Sequence, residues 1–150
     1  MNSIFLSGRK CSGGKARGEA LVAHHDTLAI GADIGFSSGE VITPGHELHK
    51  KMVAGKIVVF HTGRGSTADP YLVYCLKQVG KTPMGIINVQ ANPTTVAGAI
   101  LCGIPMVHQL DRNPLEVIET GDTVAIDADN GRVEVIKAVK VNAMAGSGEG

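Results

Sequence analysis

The chain has 150 residues, no formal net charge at pH 7, 43% hydrophobic and 19% charged residues, which is the makeup of one ordinary folded domain. A domain of this size buries roughly 68–70% of the surface its unfolded chain exposes. Balanced charge excludes a dedicated nucleic-acid or membrane-surface binder, which would cluster Lys and Arg. No run reaches the ~18 apolar residues of a membrane span, and no basic and apolar leader opens the chain, so a cytoplasmic protein is expected. Cys11, Cys75 and Cys102 are widely spaced, without a C-x-x-C, and read as ordinary reduced thiols rather than a disulfide framework or a metal set. With no Trp, the core has to be filled by Val, Ile, Leu, Met and Ala, which suits a sheet covered by helices.

In chain order, Ile4-Phe5-Leu6 and Arg17–Ala23 read as strands, the latter preceded by a glycine-rich stretch. The glycine- and serine-rich residues 30–39 predict a loop, and Glu40–Thr43 a short strand stopped by Pro44-Gly45. Lys56–Phe60 is a β-branched run typical of a central strand. A helix over Tyr71–Leu76 follows, with Asp69 as N-cap, Pro70 at its first position and Gly80 closing it. Gly85–Val89 predicts a second buried strand. Thr94–Leu101 predicts a helix capped by Asn92 and ended by Gly103, and Ile104–Val107 a third strand. Thr123–Asp127 and Arg132–Ile136 alternate about an Asp129-Asn130-Gly131 turn, giving a β-hairpin. The expected fold is an α/β domain over residues 1–141: a mixed central sheet flanked by helices, with a β-hairpin module. Residues 142–150 have nothing to bury and predict a disordered tail.

The turn Gly63-Arg64-Gly65-Ser66-Thr67 carries the most chemistry. It leaves a core strand at its carboxyl end, where open α/β sheets place their sites. Two glycines permit close approach or positive φ, and arginine suits bidentate anion binding. Its plain reading is a strand-to-helix turn capped by Ser66. The functional reading makes Ser66 a general base, its alkoxide stabilised by nearby cationic and N–H groups. A nucleophilic serine with His61 and Asp69 is the weaker version, because no Gly-x-Ser-x-Gly elbow is present. His46-x-x-His49 has metal-like spacing but only Glu47 nearby, so surface histidines are the preferred reading. His24-His25 read as solvated, and His108 as able to face the same strand-end edge as Ser66. Asn88–Thr95 reads equally as a capped loop or as an anion-binding helix start.

Five segments together resemble the aconitase X small-subunit family. Gly14–Val22 resembles its G-x-A-x-G-E-A-L-V opening, and Ser38–Leu48 its T-G-x-I-I-D-P-x-H-x-L segment. Gly55–Val59 with Gly63–Ser66 resembles G-K-V-L-V…G-R-G-S, while Gly103-Ile104-Pro105 and Gly121–Asp127 match in order and spacing. The resemblance spans about residues 12–136. It implies a swivelling β/β/α fold and a larger partner subunit that bears the iron–sulfur cluster, with no cofactor bound by this chain alone. It also implies dehydration of a small hydroxylated carboxylic acid, either cis-3-hydroxy-L-proline, the substrate favoured here, or mevalonate 5-phosphate. By the motif, Ser66 is the catalytic base and Arg64 the anion binder, with Gly63, Gly65 and Thr67 lining the substrate. Two segments depart from the family. Ala29–Asp33 stands where many members carry S-F-W-G-G, and Thr67-Ala68-Asp69-Pro70 replaces a serine/glycine follow-on. The other expectations are a non-catalytic swivelling or interaction module and, as a minor one, a metal protein using His46 and His49. A phosphohistidine carrier is disfavoured, because Asn92–Thr95 contains no histidine.

Overall fold

Two strands buried throughout and two that alternate decide the layering. In the computed structural model, which describes residues 2–139, β4 (Ile57–Phe60) and β5 (Gly85–Asn88) are buried at every position, so both of their faces are covered. In contrast, β7 (Thr123–Asp127) and β8 (Arg132–Ile136) bury only alternate residues and keep one face toward solvent. The remaining strands are β1 (Ser3–Ser7), β2 (Arg9–Ser12), β3 (Lys15–Val22) and β6 (Met106–His108). The helices are α1 (Ile30–Asp33), α2 (Asp69–Gln78), α3 (Pro93–Cys102) and α4 (Pro114–Val117).

The eight strands run in the order β1-β8-β7-β3-β4-β5-β6-β2. Strands β3, β4, β5 and β6 are parallel neighbours, with Ala20 beside Ile57, Ile57 beside Gly85, and Ile86 beside Met106. The other pairings are antiparallel. β1 and β2 lie at opposite ends of that order although Gly8 alone separates them in sequence, so the sheet curls until its two ends meet. At the seam Gly8 N–H donates to the carbonyl of Gly131.

The curl divides the core. Leu6, Val22, Ile57, Val59, Ile87, Val107, Ile126 and Val135 point inward and pack together with Ile118. Val58, Phe60, Ile86 and Met106 point outward and are covered by Val73 and Leu76 of α2, Ala99 of α3, and Ile30 and Ile34 from the α1 region. Successive residues of β4 therefore feed two different cores, as strand periodicity requires.

The α/β architecture, the mixed sheet and the hairpin are as the sequence predicts, and five local features differ. Ile30–Asp33, expected as loop, is one helical turn, closed by Ala29 N–H donating to the Asp33 carboxylate at 2.8 Å. Glu40–Thr43, expected as a strand, makes only isolated bridges to Ile34, His49 and Met52, outside the sheet. Ala68, not Asp69, is the N-cap of α2: the Asp69 carboxylate turns inward to accept from Gly31 N–H at 3.0 Å. Strand β2 and helix α4 were not expected, since Arg9-Lys10-Cys11-Ser12 is a polar edge strand and Pro114–Val117 is a single turn. The proposed tail, residues 142–150, lies outside the described residues.

Candidate active site

The carboxyl ends of β3, β4, β5 and β6 share one edge of the sheet, and the loops leaving them are stitched together. Leu28 bridges Gly63, Arg64 N–H donates to the Leu28 carbonyl, Val89 N–H to that of His61, and Gln109 N–H to that of Val89. Gly63–Thr67 sits in this seam, between β4 and α2. Its two glycines are required for different reasons. Gly65 has φ +134, a region that only glycine occupies readily. Gly63 has no such φ, but a Cβ there would overlap the Thr95 hydroxyl of α3.

Ser66 is exposed, at the tip of the turn. Its Oγ accepts from Ala68 N–H at 3.2 Å and its carbonyl from Asp69 N–H at 3.0 Å. The hydroxyl hydrogen is left free to point outward. Thr67 is exposed beside it.

The Arg64 guanidinium turns back toward α1. Nη1 and Nη2 donate to the two oxygens of Asp33 at 2.7 and 2.8 Å, a bidentate pair, and Nη1 also reaches the Thr27 carbonyl at 3.4 Å. The Asp33 carboxylate is 3% exposed and further accepts from the Thr43 hydroxyl and Ala29 N–H. Burial alone would raise its pKa, but the hydrogen bonds from Arg64, Thr43 and Ala29 outweigh it and hold the carboxyl below the usual range. Arg64 is pushed up in return, chiefly by its bond to Asp33. Thr43 occupies the aspartate position of the resembled T-G-x-I-I-D-P segment. Asp33 itself lies in the segment that lacks the family's aromatics.

Arg64 also lines a polar depression of about 250 Å³ with Asp26, Thr27, Thr43, Pro44, Gly45 and His46. Asp69, beneath Gly65, is a second buried carboxylate; burial raises its pKa more than the Gly31 and Ala32 N–H groups lower it. Its Oδ2 has no partner among the described residues.

The histidines do not join this group as ligands. His46, expected at the surface, is buried: its Nε2 meets the Thr27 carbonyl at 2.8 Å, and its Nδ1 accepts from Leu48 N–H at 3.0 Å. Both ring nitrogens are therefore occupied. Glu47 is not a ligand either, since its carboxylate accepts from the backbone N–H groups of His24, His25 and Asp26. Among the described residues no group of three His, Cys, Asp or Glu could hold a metal ion. His108 lines a different depression, against Cys11, Val96 and Ile100, and its Nδ1 accepts from Ala91 N–H. The start of α3 is occupied by its own cap: Asn92 Oδ1 accepts from both the N–H and the hydroxyl of Thr94. Asn88–Thr95 is thus a capped loop.

The curled mixed sheet that carries this turn has counterparts among known proteins. The aconitase X swivel-domain model covers residues 5–135. This chain belongs to the aconitase X swivel-domain family. Relatives named phosphomevalonate dehydratase small subunit include that of Methanocella arvoryzae, 40% identical over 130 residues, 87% of this chain and 98% of that one. That of Thermococcus gammatolerans is also 40% identical, covering 87% of this chain and 97% of its own. Among solved structures, holo-form aconitase X of Thermococcus kodakaraensis superposes with TM-score 0.82 at 37% identity, over 89% of this chain and 99% of that one. The aconitase X resemblance read from the motifs is therefore the family in fact, and the swivel fold is its fold.

Proposed function

We propose that this chain is the small, base-bearing subunit of an aconitase X-type hydro-lyase acting on mevalonate 5-phosphate. The observation that carries the reading is the exposed Ser66 at the tip of the turn, two residues after an arginine with donors to spare. Relatives matched over almost their whole length are named for phosphomevalonate dehydratase, which favours this substrate over cis-3-hydroxy-L-proline.

Dehydration next to a carboxylate removes a proton from one carbon and hydroxide from its neighbour. Ser66, as alkoxide, takes the proton; its Oγ already accepts from Ala68 N–H, a fixed donor that favours the anionic form. Arg64 binds an anionic group of the substrate, and the flanking Gly63, Gly65 and Thr67 shape the approach. Loss of the hydroxyl is left to the larger subunit, to which the iron–sulfur cluster is assigned. The cysteines here do not fit a cluster: they lie apart on β2, α2 and α3, and burial pushes the Cys11 thiol up to about 11, away from a thiolate ligand. A cytoplasmic setting fits the reading, and among the described residues no helix is long and apolar enough to cross a membrane.

The test is reconstitution with the cognate large subunit. Mevalonate 5-phosphate is expected to lose water, and Ser66→Ala to lower kcat by about 10²–10⁴, the range for a missing acid–base group. An undiminished Ser66→Ala enzyme refutes the mechanism. Preferential turnover of cis-3-hydroxy-L-proline refutes the substrate. A tight complex with no turnover of either returns the chain to a non-catalytic interaction module.

A further inference from the structure

Arg64 has more hydrogen-bond donors than its contacts use. A guanidinium carries five N–H groups in one plane, arranged as two forks: an end-on fork of Nη1 and Nη2, and a side fork of Nε and Nη2. Asp33 fills the end-on fork through both of its oxygens. The Thr27 carbonyl takes the remaining direction from Nη1. Among the described residues nothing accepts from Nε–H or from the second Nη2–H. Exposure divides the same way: the Asp33 side chain is 3% exposed and that of Arg64 43%. The buried Asp33 carboxylate holds the end-on fork, and the side fork has no acceptor among the described residues.

We propose that Asp33 is a positioning residue that sets substrate specificity. It occupies the end-on fork of Arg64, cancels its charge, and thereby presents the side fork as the receptor for a two-oxygen anionic edge. This rests on the reading of Arg64 as the anion binder. It adds that recognition is by shape and not by field, because the neighbouring carboxylate neutralises the guanidinium. A planar carboxylate, or two oxygens of a phosphate, matches that fork. A lysine cannot take the role: its ammonium is a point charge that Asp33 alone would satisfy. Asp33 is itself held from three sides, by α1 through Ala29 N–H, by the Thr43 hydroxyl and by Arg64, so the orientation of the fork is built into the fold.

Two experiments test this. In the reconstituted enzyme, Asp33→Asn is expected to raise KM about tenfold or more, the effect of misdirecting one charge-assisted hydrogen bond, with a smaller fall in kcat. Arg64→Lys is expected to raise KM, and adding Asp33→Asn to it is expected to raise KM no further, since the fork is already absent. Equal effects on kcat and KM, or additive effects of the two substitutions, overturn the proposal. The second readout needs no turnover and does not depend on Ser66. With the chain 15N-labelled, the Arg64 Nε–H resonance is followed while inorganic phosphate or acetate is added. A saturable shift is expected in the wild-type chain and its loss in Asp33→Asn. A shift with phosphate alone assigns the fork to the phosphate end of the substrate, and one with acetate its carboxylate end. A resonance unmoved by both anions overturns the proposal. Should Asp33→Asn fail to fold, the wild-type titration and Arg64→Lys decide it.

Discussion

A single methyl group at position 63 tests how the serine-bearing turn is seated. In Gly63→Ala the new Cβ would overlap the Thr95 hydroxyl and lie 3.1 Å from Thr95 Cβ and 3.5 Å from Asn92 Cβ. Thr95 is 2% exposed in the first turn of α3, so its side chain cannot simply swing into solvent. Forcing an extra carbon into such packing costs about 1–3 kcal/mol. The same threonine offers the relief. Its Oγ1 has no hydrogen-bond partner among the described residues, so Thr95→Ala forfeits no bond seen there and costs about 1 kcal/mol for one lost methyl. With both substitutions the worst overlap is gone and the tightest remaining neighbour is the Cβ at 3.1 Å. Urea unfolding of the four proteins should therefore give a coupling of about 1 kcal/mol or more, with the double variant more stable than the sum of the singles and the m-value unchanged. Simple additivity would refute the argument, because it would mean that Gly63 is required for something other than its approach to α3.

The two buried carboxylates beside the turn should titrate with opposite signs. Asp33 has its pKa lowered in the fold, so the stability it contributes is present above the ordinary carboxylate value of about 3.9 and is lost as the pH falls through the folded value. Asp33→Asn is expected to cost about 2–3 kcal/mol at neutral pH, less than a fully buried pair because Arg64 is part-exposed, and the gap to wild type should close on acidification. Asp69 has its pKa raised, chiefly by burial, so its ionisation weighs against the fold increasingly as the pH rises from the ordinary to the raised value. Asp69→Asn keeps an acceptor for Gly31 N–H and is expected to gain on wild type over that rise. Unfolding midpoints measured across pH for both variants check the signs, and parallel slopes would contradict the assignment.

The parts of the fold legible in the sequence are those where local chemistry and tertiary burial agree. Ile57–Phe60 and Gly85–Asn88 are continuous apolar runs because both faces are covered, and Asn92-Pro93 and Gly103 punctuate α3 as caps do. The turn itself was also legible, since two glycines around an arginine leave few other uses. What the turn binds to was not. Asp33 lies 31 residues before Arg64, in a glycine-rich stretch that reads as loop. The available signal was the acid itself: one aspartate inside Leu28-Ala29-Ile30-Gly31-Ala32-Asp33-Ile34 cannot be buried without a partner. Asp69 misled for the opposite reason, because an aspartate before proline looks like a helix cap when only local donors are considered. Gly31 N–H, from a distant segment, competes for it.

The seam at Gly8 has a consequence for synthesis. β1 pairs with β8, Ser3 opposite Ile136, and β2 pairs with β6, Arg9 opposite His108. β1 thus waits for the last of these strands and β2 for the sixth, and until then each presents an unpaired edge. Long-range pairing of this kind makes folding slow and leaves the nascent chain open to association through those edges. Closure of the curled sheet cannot be completed before β8 is made, whereas β3, β4 and β5, the scaffold of the turn that carries Ser66, all precede it in sequence.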